Sequence, residues 1–397
     1  MRGREMERQC QNLLNLICSV LTDRAAEVED INLSSLLSLA QAHGVTNLLY
    51  PAFRKLPIEL RPAEAAMHMC KQITYAAATR HAVQENELST VLRSFHEAQI
   101  EVLPLKGCVI KKLYPLPEYR YMSDVDLLFP ATEAKKVQCI LERMGFTTVR
   151  FAMGETDLYI SPLGMNYELH RSLQEEGSSQ TAKMFLSRLL DVAVPSARGD
   201  SLQLPPEEHY IYILLHIVKH LSSGGAGLRS VMDVWACKTG WNFNREKLAA
   251  LLAENELTAF AQTIEKLADV WFMGAPEDPL ACELGEYLIA GALFGTEERR
   301  VASRMLRQPS DGGKNAYWRR RIFPAYSTMC SYFPVVKKCP IVLPFAWLYR
   351  VFRGIFGKRK KLAKEQELVE ATDQTILQER RSLFLRCGLR IEQEERR

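Results

Sequence analysis

The sequence predicts an α/β (α+β) protein in which a short β-sheet core is embedded between helical N-terminal and C-terminal regions. Three observations predict it. Residues 100–145 read strand, helix, strand, helix; residues 124–129 alternate with a period of two; and the stretches before 99 and after 204 carry apolar residues at helical spacing. At 397 residues, 47% hydrophobic and 25% charged, the chain can bury a sizeable core and make two or three packed units. Its 51 basic and 47 acidic residues are too balanced to announce nucleic acid. Ten cysteines without a C-x-x-C pair, and an N-terminus without an apolar signal segment, give the expectation of a reduced, cytoplasmic protein. The segment CPIVLPFAWLYRVFRGIFG is interrupted by Pro344, Arg350 and Arg353, so it reads as a buried or interfacial helix and not as a membrane span.

In order, Leu13, Leu14, Ile17, Val20 and Leu21 mark a first amphipathic helix over 6–22, and a second follows from Leu33 to His43 with Gly44 as its C-cap. Pro62 opens a long helix reaching about Ala98, with Ala65, Met69, Ile73, Ala76 and Ala77 as its packing stripe. Next come a strand from Ile100 to Leu105, then Lys106-Gly107, then a short helix to Tyr114. A glycine between a strand and a helix lets backbone N–H groups approach an anion, and Lys106 adds a positive charge. Arg120, four residues before Asp124, is in reach of a phosphate lying over the acids. In the second strand Val125, Leu127 and Phe129 face one way and Asp124, Asp126 and Leu128 the other. Two carboxylates on one strand face repel each other and call for a cation; the bland reading is a solvated strand face or a structural cation.

Thr132 is expected to cap the next helix, which ends at Gly145. Strands at Thr147 to Ala152 and Asp157 to Ile160 precede MNYELH, where Glu168 shares a face with His170 and supplies the third acid. From Leu204 a helix runs to Leu221 with His216 and His220 one turn apart, a pair with no third ligand nearby to complete a zinc set. In SSGGAGLRSVMDVW, Arg229 and Asp233 stand at i and i+4. They read either as a helix-surface bridge or, with Lys219 and the glycine loop, as an anion pocket. DGGKN at 311–315 reads as a linker, and Lys358 to Glu379 as a solvated helix. These patterns divide the chain into a helical cap (1–99), an α/β core (100–204), a helical domain (205–310) and a basic, aromatic helical region (311–397).

The segments LPLKG, YPLPEYRYMSDVDLL, YELH and HIVKHLSSGGAGLRSVMDVW resemble a bacterial family of uncharacterised nucleotidyltransferases within the DNA polymerase β-like superfamily. The resemblance extends from the N-terminal helices to FPAYSTMCSYFPVVKKCPIVLPFAWLYR. It also touches the toxin components of abortive-infection systems. It implies a small mixed sheet flanked by helices, with Asp124, Asp126 and Glu168 as catalytic acids and ligands of Mg²⁺ (or Mn²⁺). The nucleotide- and phosphate-binding set it implies is Lys106, Gly107, Arg120, Ser123, His170, Lys219 and Arg229. The superfamily's Gly-Ser or Gly-Gly is here Gly107-Cys108, and a thiol is a poor substitute for a serine hydroxyl on phosphate. The implied reaction moves an NMP group from an NTP to an acceptor (small molecule, protein or RNA), releasing pyrophosphate by a two-metal mechanism. Two alternatives stand beside it: a catalytically silent nucleotide-binding or interaction protein, and a toxin-like enzyme acting on tRNA or protein, for which Arg319 to Arg321 and Lys358 to Lys361 would form the phosphate-backbone patch.

Overall fold

The computed structural model describes residues 2–22, 24–173, 179–291, 297–306, 313–357 and 359–390. Four helices come first: α1 (Arg2–Leu21), α2 (Leu33–Ala42), α3 (Leu49–Lys55) and the 34-residue α4 (Glu64–Glu97). At about 1.5 Å per residue, α4 is roughly 50 Å long, enough to reach from the N-terminal helices to the far side of the sheet. Its buried stripe differs from the expected one. Cys70, Ala77, Leu88, Val91, Leu92 and Phe95 are inside, whereas Ala65, Met69 and Ala76 are exposed. The sheet takes the C-terminal half of the helix, and the small, evenly spaced residues of its first half left the phase of the stripe undetermined.

The core follows: β1 (Leu103–Pro104), a one-turn α5 (Gly107–Ile110), β2 (Asp124–Leu128), α6 (Ala134–Arg143), β3 (Thr147–Arg150), β4 (Thr156–Ile160) and β5 (Asn166–His170). The five strands form one mixed sheet in the order β1-β2-β5-β4-β3, with β2 and β5 parallel and the other neighbours antiparallel. The first strand is shorter than expected, a two-residue ladder continued by the Leu105 N–H donating to the Asp126 carbonyl. A 3₁₀ turn over Ala131–Glu133 opens α6, and Thr132 makes no cap to it.

Alternation in β2 and β5 divides the sheet into two faces. Val125, Leu127, Phe129, Tyr167 and Leu169 join Val91 and Phe95 of α4 and Val137 and Leu141 of α6 in one apolar cluster. Asp124, Asp126, Leu128, Glu168 and His170 turn the other way, where Leu128 meets a larger cluster drawn from α1, α2, α3 and the later helices.

Those later helices are α7 (Gln180–Ser187) and α8 (Leu189–Val192), a small hairpin of β6 (Val194–Pro195) and β7 (Leu202–Gln203), then α9 (Pro206–Ser222), α10 (Leu228–Gly240), α11 (Arg245–Glu254), α12 (Thr258–Ala268) and α13 (Pro279–Gly291). The C-terminal region contributes α14 (Glu297–Leu306), α15 (Gly313–Ile322), α16 (Tyr326–Tyr332), α17 (Pro334–Lys338), α18 (Leu343–Gly357), α19 (Arg359–Ala371) and α20 (Gln374–Arg386). The expected linker at 311–315 is helical from Gly313 onward, and its first two residues lie outside the described residues. The expected solvated helix after Lys358 is two helices broken near Asp373, and Glu365 is buried against Tyr317, Arg304 and Arg321. No helix among the described residues is long and apolar enough to cross a membrane.

Two histidines of this helical core have a consequence for acid stability. His43 accepts a hydrogen bond at Nδ1 from the Leu228 N–H, and His209 packs beside Trp241; burial pulls both imidazoles down to about 4. Below the ordinary histidine pKa of about 6.5 the unfolded chain takes up protons that the folded chain refuses. Stability is therefore lost as pH falls from about 6.5 towards 4, on the order of 3 kcal/mol for each group. The thermal midpoint should drop through this window, and His209→Phe should flatten the drop. A midpoint unchanged between pH 7 and pH 4.5 would show that these rings are not held neutral.

Candidate active site

The site forms where β2 and β5 lie side by side. Parallel pairing sets Asp126 directly opposite Glu168, and Asp124 opposite Asn166. Asp126 is only 3% exposed, so the solvated-face reading of this carboxylate is overturned. Its Oδ1 accepts from Lys106 Nζ at 2.6 Å and lies 2.9 Å from His170 Nε2. An ionised carboxylate can only accept, so Nε2 carries a proton, and Nδ1 on the other side of the ring lies 3.0 Å from Thr156 Oγ1. His170 is thereby oriented towards the acids.

The electrostatics show a site short of positive charge. Burial pushes Asp126 up, but Lys106 and His170 outweigh burial and hold it far below the ordinary carboxylate range. Burial likewise opposes the Lys106 ammonium, and its neighbours Tyr212 and Asp126 more than restore it, so its pKa is raised. Glu168 is not compensated: burial, and then the Asp126 carboxylate beside it, push its pKa up. Carboxylate oxygens of Asp126 and Glu168 and a ring nitrogen of His170 all lie within 4.8 Å of one another. Asp124 sits two residues back on the same face, its Oδ1 accepting from the Ser123 hydroxyl at 3.0 Å. Two carboxylates at this spacing, one with its proton affinity raised by the other, fit a hard divalent cation.

The Lys106-Gly107 turn is built differently from the sequence expectation. The left-handed residue is Lys106, at φ +47°, while Gly107 has no positive φ. Glycine is required at 107 by close approach: a Cβ there would stand 2.5 Å from Arg120 Nη1 and 2.8 Å from Met122 Sδ. Cys108 points into the sheet core, its thiol pushed up to about 11 by burial, and takes no part in the polar face. Gly107→Ala should displace the Arg120 guanidinium and destabilise the fold by about 1–3 kcal/mol, as overpacking does. Urea unfolding measures it; an unchanged midpoint would mean the turn has room to spare.

Arg120 itself is not offered to a ligand as expected. Its Nε and Nη2 form a two-point pair with Asp233 at 2.7 and 2.8 Å, and the Tyr114 hydroxyl donates to the same carboxylate at 2.7 Å. The expected i, i+4 bridge between Arg229 and Asp233 is replaced by this long-range pair, and Arg229 donates to the Tyr121 carbonyl at 2.9 Å. Burial, and then the nearby Arg120, pull the Arg229 pKa down. Lys219 is exposed near the end of α9. Gly224 and Ala226 are enclosed, with Gly224 against the Arg299 backbone, so these glycine-loop residues serve helix packing and do not form an open lip. His216 and His220 contact each other, Nε2 to Nε2, at 2.9 Å. Burial first and neighbouring cations second pull both down, His220 to about 4.

Sequence reasoning missed the Tyr114–Arg120–Asp233 cluster, which joins residues 119 and 113 positions apart and leaves no local trace. It also missed Tyr212, which α9 brings beside Lys106. The place of His170 was open to inference, since it stands two residues after Glu168 on one strand face.

A mixed five-stranded sheet set among helices thus carries the D-x-D on one strand and the glutamate on its parallel neighbour. The family model described as uncharacterised nucleotidyltransferase matches residues 29–273, and the chain belongs to that family. The match is narrower than the resemblance suggested, stopping before the aromatic segment at 323–350. No curated protein matches the chain. Among solved structures it is similar to the antibiotic-resistance factor ANT(2'')-Ia, studied in solution, at 13% identity and a TM-score of 0.32, covering 43% of this chain and 90% of that one.

Proposed function

We propose that the protein transfers an NMP group from an NTP to an acceptor hydroxyl or phosphate, with release of pyrophosphate. The observation that carries this reading is the meeting of Asp126, Glu168 and His170 beside Lys106 on the polar face of the sheet. Asp124, Asp126 and Glu168 would hold the divalent cations, Mg²⁺ or Mn²⁺, which when bound neutralise the triphosphate and stabilise charge on the attacking and leaving oxygens. His170 fixes the rotamer of Asp126 through Nε2, and Thr156 fixes His170 in turn. Lys106 is already charged and partly buried at the acids, placed to follow a phosphate oxygen with little reorganisation. Glu168, with its raised proton affinity, is suited to take the proton of the attacking hydroxyl.

The test is incubation of the full chain with each labelled NTP and Mg²⁺ or Mn²⁺, alone and with pooled small molecules, RNA and protein as acceptors, reading pyrophosphate and labelled product. Glu168→Gln serves as the internal control. It should lower transfer about 10² to 10³-fold, as loss of a catalytic acid or base does. It should also raise the thermal midpoint of the metal-free protein at pH 7. A carboxyl whose folded pKa is raised is a liability above that pKa, and glutamine removes the repulsion with Asp126. Nucleotide binding without metal-dependent pyrophosphate release across the whole acceptor panel would leave the catalytically silent alternative standing.

A further inference from the structure

From Gly312 to Lys364 the chain has thirteen lysines and arginines and no aspartate or glutamate. Over the whole chain, basic and acidic residues are nearly balanced, so this is a local charge imbalance of a kind found nowhere else in the sequence. Within it, α16, α17 and α18 fold around a small apolar centre of Met329, Val336 and Ala346, with Leu343 and Trp347 packed on it. That centre uses one side of α18. The other side, with the 3₁₀ turn that leads into it, carries Ile341, Phe345, Leu348 and Tyr349, spaced four, three and one apart and so sharing a face. Ile341 is 81% and Phe345 67% exposed, and Leu348 and Tyr349 are exposed as well. Lys337, Lys338 and Arg353 are exposed in the same unit, and Arg350 packs over the Tyr332 ring.

We infer that this unit docks on an anionic lipid bilayer, with the α18 face in the interfacial region and the surrounding cations over the lipid phosphates. Three features point to a lipid surface. Large aliphatic and aromatic side chains on an exposed helix face gain by leaving water. Aromatic rings and Lys/Arg flanking such a face belong to helices lying in the headgroup region. The absence of any carboxylate side chain between Gly312 and Lys364 removes repulsion from a negative surface and supplies its complement. An RNA backbone would account for the cations but not for exposed isoleucine, phenylalanine and leucine. Since α18 has 15 residues and no helix among those described can span a membrane, the unit lies on the bilayer and does not cross it.

The experiment is co-sedimentation of the full chain with phosphatidylcholine vesicles, with and without phosphatidylglycerol, at low and high salt. Wild type should bind the anionic vesicles at least ten-fold better than the neutral ones and be released by salt. Phe345→Ser with Leu348→Ser, and separately Lys337→Glu with Lys338→Glu, should each reduce binding at least ten-fold while leaving far-ultraviolet circular dichroism and the thermal midpoint unchanged. Phe345→Trp provides a readout independent of the disrupting variants: its added indole fluorescence should be quenched by bromine-labelled acyl chains. Wild type left in the supernatant with anionic vesicles, binding undiminished in both double variants, or fluorescence of the Phe345→Trp variant untouched by brominated lipid overturns the inference. So does retention on poly(U) in place of vesicles, unaffected by Phe345→Ser with Leu348→Ser, which assigns the surface to RNA.

Discussion

Asp126→Asn should abolish nucleotidyl transfer, by at least about 10³-fold, while the protein stays folded. The figure is what removal of a group that stabilises developing charge costs in a dry site. Asp126 meets three demands at once: it neutralises Lys106, it receives the oriented His170 Nε2–H, and it stands opposite Glu168. Asparagine keeps the volume and an accepting oxygen, so the hydrogen bond from Lys106 survives in neutral form. Its charge does not, and the remaining Glu168 cannot supply the negative charge for both a cation and Lys106. Because the partly buried ammonium keeps Glu168 and Asp124 in its neighbourhood, the change is expected to weaken the fold without unfolding it. Steady-state pyrophosphate release, read beside NTP binding by calorimetry, separates lost chemistry from lost affinity. Transfer within ten-fold of wild type would remove Asp126 from the reaction and with it the proposed site.

Asp233→Asn should produce the largest loss of stability of any single change near the site, about 3–5 kcal/mol, the usual consequence of leaving a buried charge without its partner. Asp233 on α10 is the counter-ion that holds the Arg120 guanidinium by two hydrogen bonds, and it also accepts from Tyr114. Burial lowers the Arg120 pKa, and Asp233, foremost among its neighbours, more than reverses it; a second guanidinium, Arg229, is close enough to be depressed by Arg120 after burial has acted on it. Without the carboxylate, two cations share one enclosure. The loss matters for function because Arg120 Nη1 lies against Gly107, so the same contact that anchors α10 sets the turn carrying Lys106. Native domains hold only about 5–15 kcal/mol in reserve, so the variant should unfold at a clearly lower urea concentration. Arg120→Leu combined with Asp233→Leu should recover much of the stability, since both buried charges leave together. A loss under about 1 kcal/mol in Asp233→Asn would mean that solvent reaches the pair.

The acidic strand was legible because alternation is a local property. Val125, Leu127 and Phe129 fixed which way Asp124 and Asp126 turn, and the same argument put Glu168 and His170 on one face of their own strand. The helical regions were legible from spacing and from the Pro and Gly that bound them. The phase of the α4 stripe was not, because alanines at several registers serve equally well until the sheet selects one. Nor was the role of Arg120, which local spacing placed beside the acids and long-range pairing turned towards Asp233. The turn was singled out for its glycine, yet the left-handed backbone lies at Lys106, and Gly107 is needed for the side chain packed against it.

By itself, then, the sequence determined most of the elements and the direction each acid faces on its own strand. Only the tertiary structure decided that β2 and β5 are parallel neighbours, so that Asp126 meets Glu168 across one strand spacing, and that Asp233 pairs with Arg120. The physical reason is range. Periodicity and backbone preference act over a few residues, whereas which buried charge finds which partner depends on the helices and strands that exclude water around them.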